Sequence, residues 1–242
     1  MADYLKIFSN KAEYDEYIES GYPKPNVSYI EDTDETIFTN YKDGEAGPER
    51  VLLGMKTEDF TGTEFNKGYN YITEAYIPDG VTTIGYQAFY TFGRLASVTI
   101  PDSVTTIGGS AFYYCTKLTS VVIPNSVTSI GSSAFEGCIG MTSVNIPDNV
   151  TTIEQNAFSR CSGLTSVTIG NSITSIGGAV FQNCNALTSV TVRATTPPTL
   201  GGGVFNSTSS RLVIYVPAES VEAYKAAASW SSYARKIQAI PA

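Results

Sequence analysis

The sequence has 242 residues, 42% of them hydrophobic, so it can bury a large core. It has no apolar run of the roughly 18 to 20 residues that a membrane helix needs, and we expect no membrane insertion. The absence of histidine excludes His-activated nucleophiles, His-based zinc sites and His pH switches. A net charge of −8 without a basic stripe argues against nucleic acid and against attachment to anionic lipid. Residues 1–17 lack the features of a secretion signal, so we expect export by another route or with a signal outside this sequence.

The N-terminal part, residues 1–70, differs in composition from the rest of the chain. Residues 1–71 contain 15 acidic against 7 basic side chains, and residues 1–76 hold 9 of the 16 tyrosines. The pattern predicts a helix from Lys11 to Ser20 and strands at Val27 to Ile30, Thr36 to Asn40 and Glu49 to Lys56. We interpret this part as a small α+β or β module that also caps the following array.

An acidic run, Glu31 to Glu35, offers the carboxylate oxygens that calcium prefers. It lacks the spacing and the central glycine of an EF-hand loop, and a solvated loop or strand edge explains it as well. Calcium binding there stays open. We expect no other cofactor, since no metal-ligand spacing or paired-carboxylate pattern stands out in the sequence.

The central part, residues 71–194, repeats every 23 positions. Large apolar residues return at fixed offsets, which is typical of a solenoid whose units bury their faces only by stacking. One such column consists of Ile72, Leu95, Leu118, Met141, Leu164 and Leu187. Another consists of Phe89, Phe112, Phe135, Phe158 and Phe181. The array carries little charge and is rich in Ser, Thr, Asn and Gly.

Each unit reads as two short extended segments and one turn. In the copy that starts at Leu118, alternation predicts a strand that ends at Ile123, with Val122 facing outward. A proline then ends the strand, and a second short strand follows up to Ile130. The remaining segment, 132–138, is too short for an ordinary helix, so we predict a single 3₁₀ or α turn that drives Phe135 into the core.

The consensus of the unit, LxxVxIPxxVTxIGxxAFxxCxx, resembles the BspA-like, or Treponema pallidum-type, leucine-rich repeat. The resemblance covers about residues 72–192 and departs at Phe92 in place of Cys, Glu154 in place of Gly and Gly170 in place of Pro. It implies a right-handed solenoid with a parallel sheet on one face and short strands and 3₁₀ turns on the other. It also implies a bacterial surface or secreted protein of the adhesion type, found in gut Bacteroidales-like bacteria, or in their phages.

Four cysteines occupy one column, at Cys115, Cys138, Cys161 and Cys184. In a stacked array their sulfurs would lie about 5 Å apart along a line, which cannot converge on one zinc ion. Parallel Cβ vectors also disfavour disulfides between neighbours. We expect buried, small apolar side chains.

Residues 195–242 are predicted to close the array. Arg211 to Val216 alternates and indicates a last strand, and Val221 to Ser229 indicates a short helix with Val221, Tyr224 and Ala228 on one side. Ser220 is placed as its N-cap. Trp230 is expected to cover the last coil.

The preferred function is non-enzymatic recognition of a protein or carbohydrate on a bacterial or host cell surface, through the outward side of the sheet. The candidate residues are Thr99, Val122, Asn145, Thr168 and Thr191, flanked by Thr119, Thr142, Thr165 and Thr188. The same polar residues could simply keep an exposed sheet soluble, in which case the tyrosines of the N-terminal module would be the better anchors. Two alternatives are a virion component of a phage or prophage and an enzyme within the N-terminal module.

Overall fold

The computed structural model describes residues 81–241, Ala75 and Ile77 with their side chains, and the backbone of the strands that precede them. The first strands are β1 (Tyr4–Leu5), β2 (Val27–Asp32), β3 (Glu35–Asn40), β4 (Arg50–Leu52) and β5 (Glu74–Tyr76). Next come β6 (Thr83–Ile84), β7 (Ser97–Thr99), β8 (Thr106–Ile107), β9 (Ser129–Ile130), β10 (Ser143–Ile146) and β11 (Thr152–Ile153). The last are β12 (Ser166–Ile169), β13 (Ser175–Ile176), β14 (Ser189–Val192), β15 (Thr199–Leu200), β16 (Val213–Val216) and β17 (Ile237–Ala239). One α-helix, α1 (Val221–Ala226), lies between the 3₁₀ helices Ala218–Ser220 and Ser231–Lys236.

The chain winds into a parallel β-solenoid of about 7 turns, as the 23-residue period predicts. We call the first five described turns coils 1 to 5 and identify them by Phe89, Phe112, Phe135, Phe158 and Phe181. One side, the long-strand face, carries the parallel sheets β1-β4-β5-β7 and β10-β12-β14-β16-β17. The other side, the short-strand face, carries the parallel sheet β15-β13-β11-β9-β8-β6. The pairing follows the repeat, since Val144 lies beside Val167 and Val167 beside Val190.

The interior consists of the predicted apolar columns, all of them buried from coil 1 to coil 5. Phenylalanine rings form a continuous stack through it, with successive centroids 5.0, 5.1, 5.1, 5.7 and 5.8 Å apart from Phe89 to Phe205. The interplanar angles in this stack are 16° or less. Burial of this kind is worth roughly 1.5–3 kcal/mol per large apolar side chain. The core is therefore one column of matched layers.

The turn around each core phenylalanine combines the predicted 3₁₀-type hydrogen bonds with bonds to the next coil. In coil 3, every second N–H group from Ser133 to Gly137 donates to a carbonyl oxygen of the next coil, at 2.7–2.9 Å. The N–H groups between them donate to the residue three positions earlier, at 3.1–3.2 Å. Ser133 and Gly137 adopt φ values of 55° and 75°, which direct alternate donors along the solenoid axis. The predicted 3₁₀-type hydrogen bonds are therefore present, but they alternate with bonds to the next coil, and Phe135 is buried as expected.

Coil 3 also lacks its predicted strand on the long-strand face. Leu118, Val121 and Ile123 are buried as expected, but the segment from Leu118 to Ile123 forms no regular pairing. Beside it, the hydrogen bond from the Thr142 N–H to the Thr119 carbonyl is stretched to 3.4 Å, whereas the bond one coil later is 2.9 Å. A slightly wider gap between coils therefore interrupts the ladder here, and the inward register is unchanged.

Strands in the N-terminal part are confirmed where the structure describes them. Val27–Asp32 and Glu35–Asn40 pair as an antiparallel hairpin, and Arg50–Leu52 joins the parallel sheet of the long-strand face. The predicted helix from Lys11 to Ser20 lies outside the described residues. The division of the chain at residues 70 and 194 stays a prediction.

The C-terminal cap covers the last coil with two aromatic side chains. Trp230 is buried, its ring centroid lies 6.4 Å from that of Phe205, and its Nε1–H donates to the Pro198 carbonyl at 2.7 Å. The Tyr224 hydroxyl, also buried, donates to the Ala194 carbonyl at 2.7 Å. The expectation that Trp230 closes the array is confirmed.

One detail of the cap prediction was wrong, the extent of the helix, and another, the N-cap, is correct only in position. The helix ends at Ala226, and Ala228 is exposed and lies outside it. Ser220 precedes the helix, but its side chain makes no capping hydrogen bond. Its φ and ψ of −101° and −7° belong to the preceding 3₁₀ turn, whereas a capping serine usually needs an extended backbone.

Two positions where the sequence departs from the consensus have clear contacts. The Gly170 N–H donates to the Ile146 carbonyl at 2.9 Å, a bond that a proline cannot make. A Cβ on Gly170 would lie 2.5 Å from the Pro147 carbonyl oxygen, so the close approach needs glycine. Glu154 replaces the consensus glycine at the corner of its coil. Its Oε2 accepts a hydrogen bond from the Ser132 N–H at 2.9 Å.

We predict that Gly170→Pro, which restores the consensus residue, destabilises the protein. It removes one coil-to-coil hydrogen bond and adds a steric conflict with the backbone of Pro147, so the free energy of unfolding should fall by about 1–3 kcal/mol. Urea unfolding of the variant, with Gly170→Ala as the matched control that keeps the N–H, measures the difference. Unfolding of Gly170→Pro at the same urea concentration as the unmodified chain would contradict the prediction.

Candidate recognition surface

The outward row of the long-strand face is the first part of the candidate surface. Asn145, Thr168 and Thr191 lie side by side on adjacent strands, one residue per coil. Thr99 and Asn145 are exposed, and Thr168 and Thr191 are partly exposed. Val122 has the largest exposed fraction of any large apolar residue in the described chain, 79%. The structure therefore brings the five predicted residues to one face.

The row extends further than the sequence predicts. Tyr215 pairs with Thr191 on the next strand and is partly exposed. Gln238 pairs with Tyr215 on the last strand and is exposed. The alternation from Val213 to Val216 predicts that Tyr215 faces outward. The irregular segment before this strand breaks the 23-residue period, so the sequence does not show that Tyr215 aligns with Thr191. We call these seven residues the outer row: Thr99, Val122, Asn145, Thr168, Thr191, Tyr215 and Gln238.

The flanking threonines serve a different purpose from the outer row. The Thr165 hydroxyl donates to the Thr142 carbonyl of the preceding coil at 2.9 Å, and the Thr188 hydroxyl donates to the Thr165 carbonyl at 3.3 Å. The Thr119 hydroxyl donates to the Ala96 carbonyl at 3.4 Å. These three side chains, with Thr142, are exposed, but the three hydroxyl protons are engaged within the solenoid. They link adjacent coils by hydrogen bonds, and only their acceptor lone pairs and methyl groups remain available to a partner.

A second threonine column repeats this arrangement on the short-strand face. Its hydroxyls donate to the carbonyl of the equivalent threonine one coil earlier, at 3.1–3.4 Å. The donors are Thr105, Thr128, Thr151, Thr174 and Thr199. The period places threonine in these columns because the fold uses the hydroxyl, so threonine content alone does not identify a binding face.

The cysteine column is buried, as predicted, and its thiols are free. Each S–H donates to the carbonyl of the phenylalanine in the preceding coil, from Cys115 to Phe89 at 3.1 Å and from Cys184 to Phe158 at 3.2 Å. Desolvation by burial raises the pKa of all four thiols, that of Cys184 to about 12. Neutral thiols in this environment are poor nucleophiles and poor metal ligands.

The described residues contain no other feature that points to catalysis or metal binding. Within them, no group of three or more cysteine, aspartate or glutamate side chains gathers in a way that could hold a metal ion. Of the acidic run, Glu31 and Asp32 end β2 and Glu35 begins β3, while its side chains lie outside the described part. Calcium binding by this run stays a prediction. None of the helices in the described chain is both long enough and apolar enough to span a bilayer.

With parallel coils, stacked phenylalanines and a leucine or methionine column, the molecule is a β-solenoid of the leucine-rich-repeat class. The sequence matches the BspA-type leucine-rich-repeat region over residues 62–188 and 105–227, with six copies of the repeat. The chain therefore belongs to the BspA-type leucine-rich-repeat family. Proteins of this class are generally non-enzymatic and generally bind proteins, which is the function class that the sequence favours.

One solved structure agrees with this assignment, and two others are similar in sequence. A leucine-rich-repeat protein of T. pallidum is 26% identical, with a TM-score of 0.59, over 78% of this chain and 87% of that one. One from Eubacterium ventriosum is 25% identical, with a TM-score of 0.49, over 66% of this chain and 59% of that one. A leucine-rich cell surface protein from Faecalibacterium prausnitzii is 23% identical, with a TM-score of 0.47, over 83% and 71%. No curated protein matches significantly, and nothing in these comparisons supports the virion alternative.

We predict that the buried thiols make the fold sensitive to alkali. Because their pKa is raised by burial, the unfolded chain releases these protons first, so the contribution of the thiols to stability is constant below about pH 8.5 and falls above it. The expected loss approaches about 1.4 kcal/mol per pH unit for each thiol. Urea unfolding at several pH values up to about pH 10.5 measures it, and Cys184→Ala should flatten the slope. An unfolding free energy that is constant over this range would contradict the prediction.

Proposed function

We propose that the chain is a recognition module that binds a protein at a bacterial or host cell surface through the outer row of the long-strand face. The observation that carries this proposal is the position of Val122 within the row. An apolar side chain that is 79% exposed lies between the polar residues Thr99 and Asn145 of the neighbouring coils. An apolar centre with a polar rim is the composition of protein interfaces.

The geometry of the row supports the same proposal. From Asn145 to Gln238 its side chains are one coil apart along a ladder of main-chain hydrogen bonds, so the spacing of these five residues is fixed before a partner arrives. A fixed surface loses little conformational entropy on binding, which favours affinity without a deep pocket. Membership of the BspA-type family supports protein binding as the class of function. The location at the cell surface is inferred from the family alone.

The low charge of the outer row favours a partner that is recognised by its shape and its hydrogen-bonding groups. The array between residues 72 and 192 has 6 acidic and 3 basic side chains, and none of them belongs to the outer row. Electrostatic steering by this face is therefore weak, and the association should depend little on salt concentration.

We predict that Asn145→Arg weakens binding to the partner at least about tenfold, because it places a long charged side chain beside the apolar centre. The full chain would first be screened against purified extracellular host proteins and bacterial surface proteins, and affinities would then be measured by surface plasmon resonance. Asn185→Arg is the matched control, since it adds the same charge at an exposed asparagine away from the row. Equal affinities for Asn145→Arg and the unmodified chain, with a loss in Asn185→Arg, would place the interface elsewhere.

A further inference from the structure

Four tyrosines lie on the side of the solenoid that carries the phenylalanine turns, all within coils 1 and 2. We call them the tyrosine shelf: Tyr86, Tyr90, Tyr113 and Tyr114. In coils 3 to 5 the equivalent positions hold small or polar residues, for example Ser132 and Gln155 in the column of Tyr86. The repeat itself therefore does not require aromatic side chains there, and the shelf is a particular feature of this chain.

Tyr114 lies against the backbone of the next coil. A Cβ built on Gly137 would be 2.6, 2.7 and 2.9 Å from three adjacent ring carbons of Tyr114. Nearly equal distances to three adjacent carbons mean that the face of the ring, and not its edge, covers the glycine. Tyr114 is only partly buried, so part of its ring remains accessible. Gly137, with φ of 75°, provides the flat support that any side chain would remove.

Polar contacts hold this ring in place. Arg160, one coil beyond Gly137, donates from Nη1 to the Tyr114 hydroxyl at 3.0 Å. The guanidinium also lies near Glu136, with Nε and Oε1 3.8 Å apart. Glu136 in turn accepts a hydrogen bond from the Ser133 hydroxyl at 2.8 Å. The Tyr114 ring is thus fixed at its face and at its hydroxyl. The charges of Arg160 and Glu136 beside it have opposite signs.

The other three rings form a similar surface. Tyr86 is 56% exposed, its Cδ2 atom would lie 3.4 Å from a Cβ on Gly109, and its hydroxyl accepts a hydrogen bond from Gln87 at 3.2 Å. Tyr90 and Tyr113 stack in parallel, with centroids 4.8 Å and planes 2° apart. Tyr113 lies 4.7 Å from Tyr114 at a tilt of 43°. Tyr90, Tyr113 and Tyr114 therefore contact one another across two coils, and Tyr86 stands beside them against the backbone of Gly109.

We propose that the tyrosine shelf binds a neutral oligosaccharide, at a site separate from the outer row. Saccharide rings would stack on Tyr86 and Tyr114. The C–H bonds on one side of a pyranose ring carry partial positive charge and complement the negative face of an aromatic ring. The tyrosine hydroxyls and the neighbouring Gln87 and Ser133 side chains supply hydrogen-bonding groups for sugar hydroxyls.

Charge and rigidity favour this class of ligand. The ion pair between Arg160 and Glu136 leaves no net charge to select an acidic or a basic ligand. Rings that are fixed before binding lose little side-chain entropy, which matters for a ligand that makes shallow contacts.

The test uses the full chain on an array of immobilised neutral, sialylated and sulfated oligosaccharides, followed by calorimetry with the neutral glycan that binds best. Tyr86→Ala should weaken that binding about tenfold, because it removes one stacking platform. Tyr86→Phe should bind within about threefold of the unmodified chain, since the ring face remains. Tyr215→Ala, which removes a tyrosine of the outer row, is the control and should bind normally.

Other outcomes would overturn the proposal. These are binding to no glycan on the array, binding only to sulfated or sialylated glycans, or an equal loss in Tyr215→Ala. If Tyr86→Ala impairs binding of a protein partner and no glycan binds, the shelf is a protein interface. Thermal unfolding monitored by circular dichroism controls for stability, and Tyr114→Phe gives a second variant that keeps the ring over Gly137. The outer-row proposal is tested separately by Asn145→Arg, so either proposal can fail alone.

Discussion

The structure depends on hydrogen bonds between residues one repeat apart. Apolar burial supplies most of the stability but has no direction, so it does not by itself fix the register of one coil on the next. The main-chain ladder does, because each coil must place its donors opposite the acceptors of its neighbour. Corners follow the same constraint. A Cβ on Gly131 would lie 2.7 Å from the backbone of Gly108, so the coils approach closely only where that residue is small or specially accommodated.

Side chains take part in this ladder as well as the backbone. Threonine hydroxyls and cysteine thiols, such as those of Thr165 and Cys161, donate to carbonyl groups of the preceding coil. The exposed threonines beside the outer row therefore contribute to folding, although in the sequence they resemble a polar binding surface. Removing them from the candidate surface leaves a narrower row in which Val122 is the most exposed apolar side chain. This explains why composition suggested a broad hydroxyl-rich face and the structure favours a row with one side chain per coil.

Much of the fold could be predicted from the sequence because burial repeats with the chain. The inward columns, the stack that contains Phe135 and the closing role of Trp230 all follow from apolar residues at fixed offsets. The turns could not be predicted in the same way, since local propensity indicates a 3₁₀ turn while half of the donors have partners in the next coil. The shelf was missed for a related reason. Tyr114, Gly137 and Arg160 occupy one column, and their relation appears only when that column is read along the axis.

Residues with a left-handed backbone conformation occur in the turns of several coils, so backbone strain there is not evidence of a functional site. Tyr114 has φ of 54°, which costs roughly 1–2 kcal/mol for a residue other than glycine. Arg160 and Asn183 in the same column have φ of 61° and 60°, so this strain belongs to the repeat and indicates nothing about a site. What is particular to this chain is the identity of the side chains that the backbone directs along the axis. On the long-strand face each outward residue can change alone, whereas on the turns Tyr114 depends on a glycine one coil away. Because the residues of the shelf depend on one another, a single substitution disrupts it more easily. The shelf therefore tolerates fewer substitutions than the outer row.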